Sequence, residues 1–262
     1  MVAAVLSACS FDAGGPGAGV DAPDSGVAAV FDGAPGATDA RPDRADVEPR
    51  PDPAGVARSP RGTPDLFDEG FEEWADAPVY SFGMTSAADM HTVSGYTPSA
   101  QITFASMHDA QYIYFALIIE DDTVLDARDP LWNDDSVTVY LDTDGDRIGP
   151  LGNDDHEIVI GSNGTYRDYA PGVNAAVLEG ARIQTADGYA LEVGIRKDSL
   201  GNPSLPGSIG FDIAINDDDD GGSAAFGLWH VRVATRCETC CTGLDHAEPW
   251  CDTTTYGSLI LE

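Results

Sequence analysis

The chain has 262 residues, a formal net charge of −32 and only 13 basic residues, a single lysine (Lys197) among them. No basic patch is available to neutralise phosphates, which excludes nucleic acid as a partner. The same charge repels anionic substrates and lipid headgroups and attracts divalent cations, leaving neutral ligands and Ca²⁺ as fitting partners.

Met1 to Ala8 reads MVAAVLSA and precedes Cys9. Leu6-Ser7-Ala8-Cys9 resembles the bacterial lipobox, although the basic start of a full signal peptide is missing; a start placed too far downstream would account for that. Residues 1–9 are therefore expected to be a truncated signal peptide, with Cys9 lipidated in an exported protein of the outer membrane or cell surface. Contact with membrane is expected only through that anchor. From residue 10 to 63 Gly, Ala, Pro and Asp dominate. Such a segment cannot bury enough apolar surface to offset its ordering entropy, and the composition predicts a disordered tether extended by Pro-Asp pairs and like charges.

From 64 to 262 the texture changes to short alternating runs separated by Gly, Asn, Asp and Pro. This predicts one all-β domain, an antiparallel two-sheet β-sandwich of jelly-roll or immunoglobulin-like type. No run approaches the roughly 18–20 apolar residues that span a bilayer. Phe71 to Trp74 reads as a helical turn. Gln101 to Ser106 and Gln111 to Ile119 read as strands joined at His108-Asp109, the second apolar on both faces and hence central. Ser136 to Asp142 puts Val137, Val139 and Leu141 on one face and Thr138, Tyr140 and Asp142 on the other, the period of a half-exposed strand. His156 to Ile160 and Tyr189 to Ile195 repeat the pattern, the latter with Glu192 and Arg196 outward, and Lys197 to Leu200 forms a second helical turn. Ser208 to Asn216, Phe226 to Val233 and Tyr256 to Leu261 complete two packed sheets.

Two loops concentrate carboxylates. Asp142-Thr143-Asp144-Gly145-Asp146 offers three at alternate positions around a glycine, as a short Ca²⁺ loop can, though the glycine position and Asn153 depart from an EF-hand. Asn216 to Asp220, with Asp217 and Asp218 at its head, packs acids so densely that a cation or full solvation must relieve them. Structural Ca²⁺ and solvated turns are the two readings of both loops. Cys237, Cys240, Cys241 and Cys251 fall within a Cys-rich insertion at 236–252. In an exported protein they are expected to form two disulfides of undetermined pairing; a four-thiolate zinc site is the competing reading, against which the spacing speaks.

The order of motifs resembles family 9 carbohydrate-binding modules. The resemblance rests on Phe71-Glu72-Glu73-Trp74, Tyr112 to Phe115 running into Glu120-Asp121-Asp122, and Trp132-Asn133-Asp134-Asp135-Ser136-Val137 leading to Asp142. It continues through Gly188 to Ile195, Ile209 to Asn216 ending in Asp217-Asp218, and Tyr256-Gly257-Ser258-Leu259. It implies a sugar-binding sandwich with Ca²⁺-supported loops and two tryptophans clamping a terminal sugar. Trp132 stands where the family has one of them, and Trp229 and Trp250 are candidates for the other. A pyranose C–H face stacks on an indole while polar groups bond its hydroxyls. Thr138 occupies the position of the family's sugar-bonding glutamate, which puts the founding specificity in doubt; with Tyr140 it is expected to assist Trp132.

Haem-binding relatives of the same sandwich make Met84, Met90, Met107 and His108 worth placing, with packing the stronger reading. No nucleophile elbow, zinc-protease histidine pair or phosphate loop occurs, and carboxylate abundance alone does not indicate a glycosidase. The expectation is a monomeric, non-catalytic binder of neutral poly- or oligosaccharides, acting beside glycoside hydrolases only in trans. The alternative is a structural or adhesion sandwich without a working sugar site.

Overall fold

The computed structural model describes residues 55–67, 70–126, 129–170, 175–202, 204–230 and 249–262. Cys9, Cys237, Cys240, Cys241, the tether up to residue 54 and the end of the predicted Phe226–Val233 strand lie outside them. The strands in chain order are β1 (Val56–Ser59), β2 (Val79–Gly83), β3 (Asp89–His91), β4 (Gln101–His108), β5 (Tyr112–Glu120), β6 (Ser136–Asp142) and β7 (Asp155–Gly161). They continue with β8 (Tyr166–Asp168), β9 (Leu178–Thr185), β10 (Gly188–Arg196), β11 (Ser208–Asp217), β12 (Ala225–Leu228) and β13 (Gly257–Leu261). Short 3₁₀ turns at Glu72–Trp74 and Lys197–Ser199 stand where helical turns are predicted. No helix among the described residues is long and apolar enough to cross a membrane.

Two sheets face each other. One runs β1-β13-β11-β6-β7-β8, with β12 pairing β11 and β3 pairing β12; the other runs β2-β4-β5-β10-β9. Neighbours are antiparallel except β1, which lies parallel to β13 from Val56↔Ser258 to Ser59↔Leu261. The domain thus begins by Val56, which corrects the composition-based boundary at 64. Little in Val-Ala-Arg-Ser marks a strand, and the segment orders through non-local contacts: Ala57 and Ser59 are buried, and Ser106 Oγ donates to Ser59 Oγ at 3.0 Å.

Residues at alternate positions meet between the sheets. Phe115 of β5 stacks on Phe211 of β11 with centroids 5.7 Å apart and planes 10° apart, and Phe104, Tyr80 and Trp229 close around them. β5 is central, as its two apolar faces predict, flanked by β4 and β10. Gly188, with φ +140°, opens β10 where a Cβ would sit 2.2 Å from the Ile119 carbonyl oxygen, so only glycine lets the strands close there.

Both outer faces carry a further layer. Leu66, Phe71, Trp74 and Ala77 cover the outer side of β4, β5 and β10, against Ala105, Met107, Tyr114 and Ala190. Tyr256, with Trp250 beside it, covers Tyr140, Ala214 and Leu228 on the other sheet. The expectation of half-exposed strands is corrected accordingly. Every residue of β6 is buried, and Glu192, predicted outward, is sealed under Trp74, whose Nε1 donates to Glu192 Oε1 at 2.6 Å.

Candidate functional site

Trp132 sits in the 3₁₀ turn Leu131–Asn133 that feeds β6, entered by Pro130 and left through extended Asp134. Its indole is 41% exposed. Tyr169 braces it from behind, edge-on, with centroids 4.4 Å apart at 68°. Tyr169 Oη accepts from Leu131 N at 3.3 Å, and the Arg167 guanidinium lies 5.5 Å over the Tyr169 ring. The turn is pinned from below: Ser136 Oγ donates to Leu131 O at 3.0 Å, and Asp135 Oδ1 accepts from Asp218 N at 2.8 Å. One tryptophan face is therefore held rigidly toward solvent, which lowers the ordering cost of stacking a ligand on it.

Ser136 and Thr138 of β6 and Asn216 of β11 share the outer face beside this turn, and Asn216 Nδ2 donates to Ser136 Oγ at 2.9 Å and to Thr138 Oγ1 at 3.1 Å. Phe226 of β12 pairs with Asn216, stacks on His91 and meets the half-buried Trp250 edge-on at 5.4 Å. Two strand spacings, about 10 Å, separate β6 from β12, so Ser136, below the Trp132 turn, and the Phe226–Trp250 pair stand on either side of Asn216.

The remaining proposed sugar contacts are closed off. Thr138 and Tyr140 are 2% and 4% exposed, because Asn216 bonds the first and Tyr256 covers the second. Trp229 is a core ring, edge-on to Phe104 at 5.4 Å. No haem pocket forms from the methionines and His108. Met84 packs between the sheets, Met107 on the outer side of β4, and Met90 on the edge strand β3, while buried His108 directs Nδ1 to Ser59 O at 2.8 Å.

Two groups of three carboxylates have oxygens within 4.8 Å of one another: Asp142, Asp144 and Asp146, and Asp121, Asp122 and Asp219. In the first, the loop's own backbone already uses the acids. Gly145 N and Arg147 N donate to Asp142 at 2.8 Å each, and Asp146 N and Ile148 N donate to Asp144 and Asp146 at 2.9 Å. Gly145 has φ +74°, and a Cβ there would approach Ser208 O to 3.0 Å, so the tight turn requires glycine. Burial and neighbouring acids raise the Asp142 carboxyl above its usual range.

The second group joins the end of β5 to the loop after β11. Burial, then repulsion from Asp217, Asp219 and Asp122, lifts Asp121 to about 7, and burial, then repulsion from Asp217, Asp122, Asp218 and Asp220, lifts Asp219 to about 6. Oxygens of Asp121, Asp217, Asp218 and Asp219 are buried with no hydrogen-bond partner among the described residues. Asp217 uses its other oxygen to accept from Ser99 N and Ala100 N at 2.8 Å, tying the two sheets. Asp217 and Asp218, the predicted metal residues here, thus belong to an acidic basin whose three converging acids are instead Asp121, Asp122 and Asp219. Orphaned, mutually repelling carboxylates in a fixed cradle suit a hard cation with oxygen ligands.

A family model described as "Carbohydrate family 9 binding domain-like" matches residues 69–262. The chain belongs to this family. Curated relatives of this family 9-like chain include endo-1,4-beta-xylanase A of Thermoanaerobacterium saccharolyticum, 25% identical over 162 residues. Exoglucanase XynX of Acetivibrio thermocellus is 24% identical over 210 residues. The matches cover 62% and 80% of this chain but only 13% and 17% of those proteins. Among solved structures, a carbohydrate binding module family 9 from Caldicellulosiruptor kristjanssonii in complex with cellotriose superposes with a TM-score of 0.60 at 16% identity, covering 79% of this chain and 93% of that one. Its glucose complex gives 0.60 at 17%, covering 79% and 95%. At these identities the likeness establishes the fold.

Sequence reading of this family 9-like domain missed Tyr169 and the pairing of Asp121 and Asp122 with Asp219. The acid run at the end of β5 was the available signal for the latter; for Tyr169, directly after a short edge strand, there was none.

Proposed function

We propose that this domain is a non-catalytic binder of neutral saccharides, gripping a sugar ring on the open face of Trp132. The observation that carries the reading is that exposed indole, braced by Tyr169 at the end of a polar row in a family 9 fold. Phe226 and Trp250 supply the second wall, while the buried Ser136–Asn216–Thr138 row holds the floor between them in place. The cellotriose and glucose bound to the Caldicellulosiruptor modules, and the xylanase and exoglucanase relatives, point to β-linked glucans and xylans as first probes.

Ca²⁺ is the fitting cation for both acidic groups, and at the Asp121 basin it would also steady Trp132, because Asp135 bonds Asp218 from the tryptophan's own loop. It supplies charge neutralisation and loop order and no chemistry. Lipidation at Cys9 and export to the cell surface complete the reading; disulfide-bonded Cys251 is in keeping with an oxidising compartment. Calorimetric titration with cello- and xylo-oligosaccharides tests it: Trp132→Ala should weaken binding about 10- to 100-fold. Equal affinities in wild type and variant would remove Trp132 as the grip, and no affinity for any glycan would favour the adhesion sandwich instead.

A further inference from the structure

The sheet opposite Trp132 carries its own aromatic cleft. Between residues 63–67 and the outer side of β5 lies a cavity of about 350 Å³, bordered by Thr63, Asp65, Phe67, Tyr112, Tyr114 and Glu179. Tyr112 and Tyr114 alternate along β5, and their rings lie nearly parallel, 22° apart with centroids at 5.5 Å. Gly194, opposite Tyr114 on β10, makes room for that ring, since a Cβ there would meet Tyr114 carbons at 3.1 Å.

Both phenols are fixed. Tyr112 Oη donates to Glu179 Oε1 at 2.9 Å, and Tyr114 Oη donates to Asp109 Oδ2 at 2.7 Å. Asp109 is itself held by the backbone N–H groups of Gln111 and Tyr112 at 2.7 and 2.8 Å. Phe67, 65% exposed, stands at the mouth. The exposed Phe67 ring and the part-buried Tyr112 ring at the edge of a concave surface floored by buried Tyr114, with the Glu179 carboxylate beside them, are the elements of a saccharide subsite. Among the described residues around the cleft, Asp65, Asp109, Glu179 and Asp198 are set against Arg61, Arg196 and Lys197. A neutral hydroxylated ring finds a stacking surface and acceptors there.

We propose that the Tyr112–Tyr114 cleft is a second, independent oligosaccharide site on the face of the sandwich opposite Trp132. It extends the saccharide-binding reading given above, so its test must separate the two. Hydroxyl-radical footprinting of the full chain with cellohexaose and xylohexaose does so, read at Trp132 and at Phe67 and Tyr112. Both regions are expected to be protected in the wild type, and the tyrosine cleft to stay protected in Trp132→Ala. Glu179→Ala, which leaves both rings in place, is expected to weaken protection of the cleft about tenfold in ligand concentration and to leave Trp132 unaffected. Protection confined to Trp132 overturns the second site alone, as does loss of cleft protection in Trp132→Ala. Protection of the cleft without Trp132 upholds the second site and sinks the first, and protection nowhere defeats both.

Discussion

Asp121→Asn distinguishes a cation-holding basin from a merely crowded one, because the two predict opposite signs under two conditions. In the cation-free domain, Asp121 is raised from 3.8 to about 7, first by burial and then by its acidic neighbours. Stability linked to this group is therefore full below about pH 4 and is lost as pH rises through about 7. At about 1.4 kcal/mol per pH unit, and discounted by half for solvent reaching the rim, keeping it ionised above pH 7 costs about 2 kcal/mol. The asparagine keeps the oxygen that accepts from Thr123 N and sheds the charge, so in chelator the variant should melt roughly 4–8 °C above wild type. With Ca²⁺ at a hundred times its Kd the wild type gains about 2.7 kcal/mol, or roughly 5–11 °C, and loses its pH dependence near 7. The variant should gain less than half of that, so that the two melting curves change order. Differential scanning calorimetry in chelator and in excess Ca²⁺ reads the effect directly. A wild-type Tm indifferent to Ca²⁺, or a variant that melts lower in chelator, refutes the reasoning.

Glu157 is raised to about 8 by burial and by Asp168 beside it. Its contribution is intact below about 4.5 and lost as pH climbs through 8, so Glu157→Gln should overtake wild type by a few kcal/mol in denaturant melts at pH 8, with no gain at pH 4. Trp74→Phe removes the donor to buried Glu192 and should cost about 1.5–3 kcal/mol by urea unfolding; a loss under about 0.5 kcal/mol would show the bond to be dispensable. Trp229→Ala, deep in the aromatic core, should cost about 3–5 kcal/mol. In the same melts Trp132→Ala should cost no more than about 1 kcal/mol, since that ring is 41% exposed; reversal of this order would mean the two tryptophans had exchanged roles.

The inner layer of the sandwich was legible because alternation reports it directly. β6 has the bounds the period of Ser136 to Asp142 predicts, and β11 runs one residue past Asn216. The outer layers were not, since the segments that build them have no period. Leu66, Phe71 and Trp74 come from turns, Trp250 from the cysteine-rich stretch and Tyr256 from just beyond it, so nothing local announced that they would bury Glu192 and Tyr140. A polar residue on an alternating strand reads as solvent-facing unless its partner is known, and the partner of Glu192 is an indole distant in the chain. At the candidate site the same limit applies. Trp132 could be read from its Pro130 and Asn133 turn, whereas the Asp121 basin exists only because the ends of β5 and β11, one from each sheet, meet.

The first strand closes the sheet by lying alongside the last. A fragment cut at residue 64, where the apolar pattern begins, would strip β13 of that companion and leave an unpaired row of amide and carbonyl groups, an invitation to swap strands with another copy. The four residues Val56–Ser59 therefore act as a guard rail along β13, although their composition reads as the tail of a spacer.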